Sequence, residues 1–496
     1  MSNYLGHIDW EPLQSPQEWE LSEPCPELPD GVTKVSAKRN ASYLMEVELI
    51  GVLPAAVTDL RPLREQTAPE VAPGTLMERR DVSVAYYGGK VVIKGYVPMG
   101  FSGGKSSATG DREFRVPILT TGVIVQHQAT EDTGWITDWF VNGPYEGPWR
   151  HHTDREFSTK YKRSWATPAA HKTDFSGHGS TGLSFDHFLI RTSKVEAVVH
   201  AVPAPLAPDW SHGIGITYLK SDGTLPNPVT RDAVEELLGF VFGRRLMRVG
   251  STNFDADGYV IWEELLSPWG TDVQGPCGSP DRWILPFHRT NLGSVNVEEV
   301  MATLLPRYLE NRETLRLDDV LWRMWLGTES PAGLDIPIYA SGAEMLRAAW
   351  FEATKSKSKG KYMSKRDFDE LLAEEMKAVA KRLEGVAFGD RMLRRMQGAF
   401  QTSGNERVEW FFEEIGLRLG TAEKLALKAR NQAVHPATEQ SAEERVQYIR
   451  TAHVYRTLLV RTILKVLAWN GPYKDYGILG HPLRPLDQSS GDASGL

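Results

Sequence analysis

The chain reads as an α+β multidomain protein, with a strand-rich N-terminal region followed by an all-α C-terminal bundle. Three observations predict this. Its 496 residues exceed what one ordinary hydrophobic core holds, so two or three domains are expected. From about Val32 to His200 the apolar pattern has mainly period two, in β-branched and aromatic runs bounded by Gly, Pro, Asn or Asp. From about Ile338 onward apolar residues recur at three- and four-residue spacing instead.

In chain order, residues 1–30 are rich in Pro, Glu and Ser and predict an extended arm. Residues 31–202 carry strand signals such as Ser83–Tyr87, Lys90–Tyr96, Gly122–Gln126 and Ala197–His200, which predict an antiparallel sandwich or barrel-like domain. Residues 203–335 are mixed. A helix begins near Pro228 with Thr230 as its N-cap, and helical patterns recur at Val297–Glu310 and Leu317–Trp325. No Gly/Ser- or Pro-type linker precedes this stretch, so a mixed α/β subdomain packed on the strand domain is expected. Residues 336–480 predict an antiparallel helical bundle of Ala340–Thr354, Ser364–Leu383, Gly389–Phe400, Glu406–Leu419, Thr421–Val434 and Glu443–Trp469. Leu371, Leu372, Met376, Val379 and Leu383 show the spacing, Ser364 and Thr421 suit N-caps, and Gly420 separates two helices. The basic stretch Lys355–Lys361 reads as a solvated connection, and residues 481–496 as a flexible tail.

Composition narrows the function classes. Cys25 and Cys277 lie far apart and outside any Cys-x-x-Cys spacing, which excludes a disulfide framework or a cysteine-based zinc site. The first residues hold no basic start followed by an apolar run, and no stretch of about 18 apolar residues occurs, so a cytoplasmic protein without a membrane partner is expected. The net charge is −8, but residues 341–470 hold 23 Lys+Arg against 17 Asp+Glu, so the helical region is the basic part of an acidic chain.

Several motifs imitate sites. Gly100–Ser106 resembles a phosphate-binding loop, but only three residues separate Gly100 from Gly104-Lys105-Ser106 and the surroundings are strands, so no nucleotide is expected there. Asn253–Glu264 places Asp255, Asp257, Gly258 and Glu264 where a calcium loop needs them. Position one is Asn, though, and Arg248–Thr252 breaks the entering helix, so an Asp-Gly turn in a hairpin explains the same residues. His151, His152, His171, His178 and His187 lack acidic or cysteine partners at ligand spacing and read as hydrogen-bonded histidines of a β-domain. Trp135, Trp139, Trp149, Trp165 and Trp210 read as core aromatics, with a glycan- or base-stacking surface as the alternative.

The stretch that carries chemistry is Arg430-Asn431-Gln432-Ala433-Val434-His435-Pro436. It sets one fixed cation, one amide and one imidazole within six residues. Pro436 disfavours helix for the residue before it, so His435 should sit where the helix ends, its ring free to turn back. In an unbroken helix residues five apart are rotated by about 140° and would not meet. An imidazole moves protons near neutral pH and a guanidinium holds phosphate oxygens in its fork, which is what acid–base chemistry on a phosphodiester needs. The bland alternative is a histidine stabilised at a helix C-terminus by the dipole. A second match to the loose spacing, Arg282 to His288, has Trp283 after the arginine and Pro286 inside, and reads as chance.

The spacing, with Asn431 directly after Arg430, resembles the Arg-x4–6-His signature of the HEPN superfamily. The run of amphipathic helices ending in Trp469-Asn-Gly-Pro-Tyr473-Lys474-Asp475-Tyr476, behind a long strand-rich region, resembles the ApeA-like HEPN proteins of phage defence. The HEPN resemblance covers about the last third of the chain. It implies a metal-independent, cofactor-free endoribonuclease whose catalytic residues are Arg430, Asn431 and His435, acting on RNA (tRNA or mRNA). It also implies a homodimer through the HEPN domain, and an N-terminal region that senses a phage-derived trigger. Two alternatives come from other classes: a catalytically silent HEPN bundle used for binding or oligomerisation, and a β-domain that binds carbohydrate or a phage protein as the main function.

Overall fold

The computed structural model describes residues 16–40, 44–57, 60–67, 79–106, 110–127, 133–144, 147–151, 155–164, 172–181, 185–202, 212–267, 282–287, 295–331, 334–354, 361–402, 404–434 and 441–490. For 104–106, 155–164, 172–181, 212, 404–405 and 430–434 the description is of the backbone. The chain divides into two compact units, Met1–Pro228 with Leu246–Asp281, and Val229–Arg245 with Arg282–Leu496. A large antiparallel sheet and eleven helices among the described residues make it a mixed α+β protein.

The first unit holds β1 (Gln17–Glu20), β2 (Val32–Arg39), β3 (Met45–Leu53), a short helix α1 (Arg61–Thr67), β4 (Arg80–Tyr86), β5 (Gly89–Pro98), β6 (Ser102–Ser106), β7 (Arg112–Leu119), β8 (Gly122–His127) and β9 (Trp135–Gly143). It continues with β10 (Arg155–Ser164), β11 (Lys172–Thr181), β12 (His187–Arg191), β13 (Glu196–Ala201), β14 (His212–Leu219), β15 (Arg248–Phe254) and β16 (Val260–Leu266). Hydrogen bonding follows the path β1-β2-β3-β7-β5-β8-β16-β15-β9-β14-β13-β12, with β4 on β5 and β6 on β7; β10 and β11 pair apart. β5 joins the two halves of this sheet. Its residues Gly89–Lys94 pair with β8, Gly95 turns at φ +61°, and Val97 and Pro98 pair with β7. The halves share one core: Val35, Val47, Leu49, Phe114 and Val116 from one side meet Val84, Val91, Ile93, Val123, Val125 and Trp139 from the other. Period-two patterning explains this, since in β3 the residues Met45, Val47 and Leu49 are buried while Glu46, Ile50 and Val52 are not.

The predicted strands are all present, but some boundaries are corrected. The expected N-terminal arm contributes β1, because burying Trp19 on β2 offsets ordering the segment. The stretch 203–335 is shared between the units. β14, β15 and β16 belong to the large sheet, while its helices belong to the second unit. Gly100–Ser106 leads into strand β6 on β7, without a following helix. Asn253–Glu264 is the β15–β16 hairpin: the Asp255 carboxylate accepts from the backbone N–H of Asp257 at 2.9 Å and of Tyr259 at 2.8 Å, and Gly258 takes φ +91°. Among the described residues no cluster of His, Cys, Asp and Glu is arranged to hold a metal. Of the tryptophans, Trp139 is fully buried and donates to Thr252 Oγ1 at 3.0 Å, Trp135 stacks on Phe254 and Trp149 on Phe188; Trp165 and Trp210 lie outside the described residues. The His151 and His187 rings lie 5.4 Å apart and His187 is hydrogen-bonded to Asp186. His152, His171 and the His178 side chain, like Cys277, lie outside what is described.

The second unit holds α2 (Pro228–Phe242), α3 (Val297–Asn311), α4 (Leu317–Glu329), α5 (Asp335–Ala353), α6 (Lys365–Leu371), α7 (Ala373–Leu383), α8 (Gly389–Gln397), α9 (Gly404–Glu414), α10 (Thr421–Val434) and α11 (Ala442–Val466), and a hairpin of β17 (Pro472–Lys474) and β18 (Leu483–Pro485). α2 starts at Pro228, where proline's missing N–H costs nothing, so Thr230 lies within the first turn instead of capping it. The expected helix Ser364–Leu383 is two, interrupted at Leu372 (φ −114°, ψ 17°), with Ser364 capping the first by accepting from Asp367 N–H. Gly420 precedes α10, and Glu423 returns to its N–H at 3.0 Å, so Thr421 is the first helical residue and not the cap. The expected flexible tail is ordered through Ser490, which is fully buried; residues 491–496 lie outside the described residues, as does Lys355–Gly360. Among the described residues, no helix is long and apolar enough to cross a membrane.

One buried group of the sheet makes the first unit pH-sensitive. His200 on β13 meets Thr217 Oγ1 at 3.2 Å and the edge of Trp139, and burial holds its pKa down to about 4, with Asp186 and His187 as lesser influences. Because the folded form resists a proton that the unfolded chain takes up near pH 6.5, stability is full above that value and falls as pH drops toward 4, by about 3 kcal/mol in all. Urea unfolding read by pulsed hydrogen exchange of peptides from β12 to β14 should show that slope, and His200→Gln should flatten it; an unchanged slope in the variant would remove the assignment.

Candidate functional site

α10 and α11 frame the candidate residues. Ser441 caps α11 with a reciprocal Glu444 capping box, and the helix then runs 25 residues, buried almost continuously from Ala452 to Leu464. Inside it lies Arg461, completely buried, which ion-pairs with the equally buried Glu423 in the first turn of α10. Arg461 also donates through Nε and Nη2 to the carbonyl of Leu486, at 3.3 and 2.8 Å, and stacks 5.3 Å from the centre of the Tyr473 ring. Glu423 accepts from the backbone N–H of Ser490 at 3.0 Å. Ser490 Oγ donates to Asp475 at 2.6 Å, and Asp475 pairs with Arg484 at 2.9 Å. α10, α11 and the C-terminal segment are thereby joined through charges that leave few hydrogen-bonding positions unused.

This fixes the helix that carries the motif. Arg430 and Asn431 lie in the last turn of α10, which extends to Val434; their side chains, and the whole of His435 and Pro436, lie outside the described residues. Helical register places their backbone positions on different stripes. Position 430 follows Glu423 and Ala426, both buried, at seven- and four-residue spacing. Position 431 follows Lys424 and Lys428 at seven and three. The Lys424 and Lys428 stripe faces a cavity of about 380 Å³ among α5, α9, α10 and α11, lined also by Arg347, Phe411, Tyr455 and Leu459. Arg347 has its pKa lowered by burial and by the neighbouring Arg407 charge. Glu344 and Glu409 line the cavity as well, so charges of both signs stand beside its apolar walls.

Sequence reasoning missed two things here. Tyr473-Lys474-Asp475-Tyr476, used only as an architectural marker, is a packed element in which Tyr473 and Asp475 are fully buried. His453, set among the apolar residues Val454, Leu458 and Leu459 in the sequence, is half-buried beside charge: burial, then Arg282, Arg456 and His481, lower its pKa. Its i, i+3 relation to Arg456 is the signal that could have exposed it.

Removing Glu423 strands a buried guanidinium. Glu423→Ala should destabilise the helical unit by about 3–5 kcal/mol, whereas the double change Glu423→Leu with Arg461→Met should recover much of that loss. Denaturant unfolding followed by far-UV circular dichroism measures both, and a mild effect of the single change would show that the pair is not the clamp described. Comparison of the chain with protein-family models, with curated proteins and with solved structures finds no match.

Proposed function

We propose that the C-terminal bundle is a HEPN-type, ApeA-like endoribonuclease and that the strand-rich unit senses a trigger, as in an abortive-infection effector. The observation that carries this is the run Arg430-Asn431-x3-His435-Pro436 at the end of α10, a helix clamped by Glu423 and Arg461 into a bundle with basic side chains along its cavity face. His435 of one subunit removes the proton from a ribose 2′-hydroxyl. That oxygen attacks the adjacent phosphorus, and the 5′-oxygen leaves with a proton from a second imidazole, giving a 2′,3′-cyclic phosphate and a 5′-hydroxyl. Arg430 stabilises the charge developing on the phosphate oxygens, and Asn431 orients the histidine or the phosphate. The nucleophile belongs to the substrate, so DNA is inert, and both proton transfers use imidazole, so no cofactor is required.

One imidazole does not serve as acid and base in a single in-line displacement, so a C2 homodimer that apposes two His435 side chains completes the site. Purified protein incubated with total RNA should leave cyclic phosphate ends, in EDTA as in its absence. His435→Ala should lose about 10²–10⁴-fold in rate with folding intact. Arg430→Lys should also be strongly impaired, since lysine keeps the charge and loses the fork. A His435→Ala chain that cuts at the wild-type rate would sink the proposal.

The dimer has its own test. Excess His435→Ala chains mixed into wild type should depress activity below simple dilution once subunits exchange. Full activity from a species that is monomeric by light scattering would refute the shared site while leaving the RNA chemistry in place.

A further inference from the structure

A second basic cluster lies in the helical unit, around the ring of Tyr476. The Tyr476 hydroxyl donates to the carbonyl of Trp283 at 2.9 Å, which fixes the ring. Three basic side chains converge on it: the Arg456 guanidinium at 5.1 Å and the Lys474 ammonium at 5.5 Å from its centre, and the His481 ring at 4.6 Å. The loop that presents them is held in place, with Lys474 N–H bonded to Ile284 O, Asp475 N–H to Pro482 O, and Gly480 and His481 both at positive φ. Arg456 is 3 % exposed. Its Nε meets Thr328 Oγ1 at 3.2 Å, while its buried Nη2 meets no hydrogen-bond acceptor among the described residues.

Among the described residues the charge here is not neutralised. Arg282 adds a third fixed cation, close enough to lower the pKa of Arg456, His453 and His481. Among the described residues two carboxylates are near, and both are engaged. Asp475 is held by Arg484, Ser490 and Gly477 N–H; Asp335 accepts from Tyr448 and Ile336 N–H. Burial, then Arg282, Arg456 and the facing His481, hold His453 toward its neutral form, with Asp335 opposing. Burial, then Lys474, Arg282 and Arg456, do the same to His481, with Asp475 opposing. An unpaired buried guanidinium beside two half-buried cations and two imidazoles is costly unless an anion supplies the missing acceptors.

We propose that this cluster is a receptor for a dianionic phosphate, the terminal phosphomonoester of a nucleotide or of an RNA 5′ end. Two fixed cations against one ring, Arg456 and Lys474, with the Arg282 charge felt at Arg456, exceed what a monoanionic phosphodiester neutralises, which favours the terminal group over a backbone contact. The proposal stands apart from the chemistry at His435.

The test uses the full-length His435→Ala chain, so that the outcome does not depend on cleavage. Calorimetric titration with sulfate, with adenosine monophosphate, and with a ten-nucleotide RNA bearing either a 5′-phosphate or a 5′-hydroxyl separates the sources. Binding of the mononucleotide, or of the 5′-phosphorylated RNA about tenfold more tightly than its 5′-hydroxyl twin, is the expected result. Lys474→Met and His481→Gln, both at half-buried positions, should each weaken that binding about tenfold with unfolding temperature unchanged. Sulfate stays dianionic as pH falls below the ordinary histidine value of about 6.5, so its affinity should rise there as His453 and His481, both held below that value, take up protons. Absence of binding at millimolar anion, binding by both variants as tight as that of the His435→Ala parent, or RNA binding indifferent to the 5′-phosphate without mononucleotide binding would each overturn the proposal.

Discussion

The helical unit depends on one buried ion pair. Glu423 and Arg461 are both removed from water, and a charge so placed persists only if its remaining positions are hydrogen-bonded. They are, by groups distant in sequence: Gly420 N–H and Ser490 N–H for the carboxylate, Leu486 O for the guanidinium. The first turn of α10, the middle of α11 and the C-terminal segment are therefore positioned together. Positions 430 and 431 of the α10 backbone lie about two helical turns beyond Glu423, on the helix that this clamp holds. Apolar packing around it, from Leu458, Leu459, Ile463 and Leu464, supplies stability but would tolerate small sliding, whereas charge-assisted bonds fix register.

In the strand-rich unit the equivalent constraint lies in backbone pairing. β5 cannot serve both β8 and β7 without changing direction, and Gly95 at positive φ permits that turn. Polar groups then fix the centre of the sheet. Asp138 on β9 accepts from Ser251 on β15, and Trp139 donates to Thr252 on the same strand, so adjacent residues of β9 hold β15 from opposite faces. The Arg39 guanidinium donates to the carbonyls of Leu266 and Val249, tying the end of β2 to β16 and β15. These contacts cross more than 100 residues of sequence, so they belong to the fold and not to any local motif.

That difference in range explains what could be read in advance. α10 was legible to its last residue because helical period and the Gly420 break are local, and the strands were legible because alternation is local too. The order of strands was not, since pairing between β5 and β7, or β9 and β15, leaves no trace in either segment alone. The tail was misread for the same reason: Asp487-Gln-Ser-Ser490 has the composition of a solvated terminus, and bonds to distant residues order it, among them Ser490 to Glu423, 67 residues away, and Tyr473 to Gln488. Leu372 looked like one more apolar position in a continuous helix, and nothing in the local sequence marks the backbone angles that interrupt it there. The Arg430–His435 spacing was visible in the sequence as a candidate; the clamp on α10 and the lysines that line the cavity were not, because Glu423, Lys428 and Arg461 look like ordinary solvated charges of amphipathic helices.

Arg456 and Arg461 show why such charges have to be judged by their partners. They lie five residues apart on one helix, so they point about 140° away from each other, and both are buried. Arg461 has a carboxylate, two bonds to a carbonyl oxygen and an aromatic face. Arg456 has one hydroxyl and an aromatic face, with Arg282 nearby as a like charge. If both served only to hold the bundle together, an apolar residue at 456 would do so at lower desolvation cost, as buried ion pairs replaced by hydrophobic groups demonstrate even when the charges are paired. The burial of an incompletely satisfied cation against Tyr476 therefore argues for a role in which the missing acceptor arrives from outside the chain. The same helix uses one guanidinium to set geometry and holds the other in reserve for an anion.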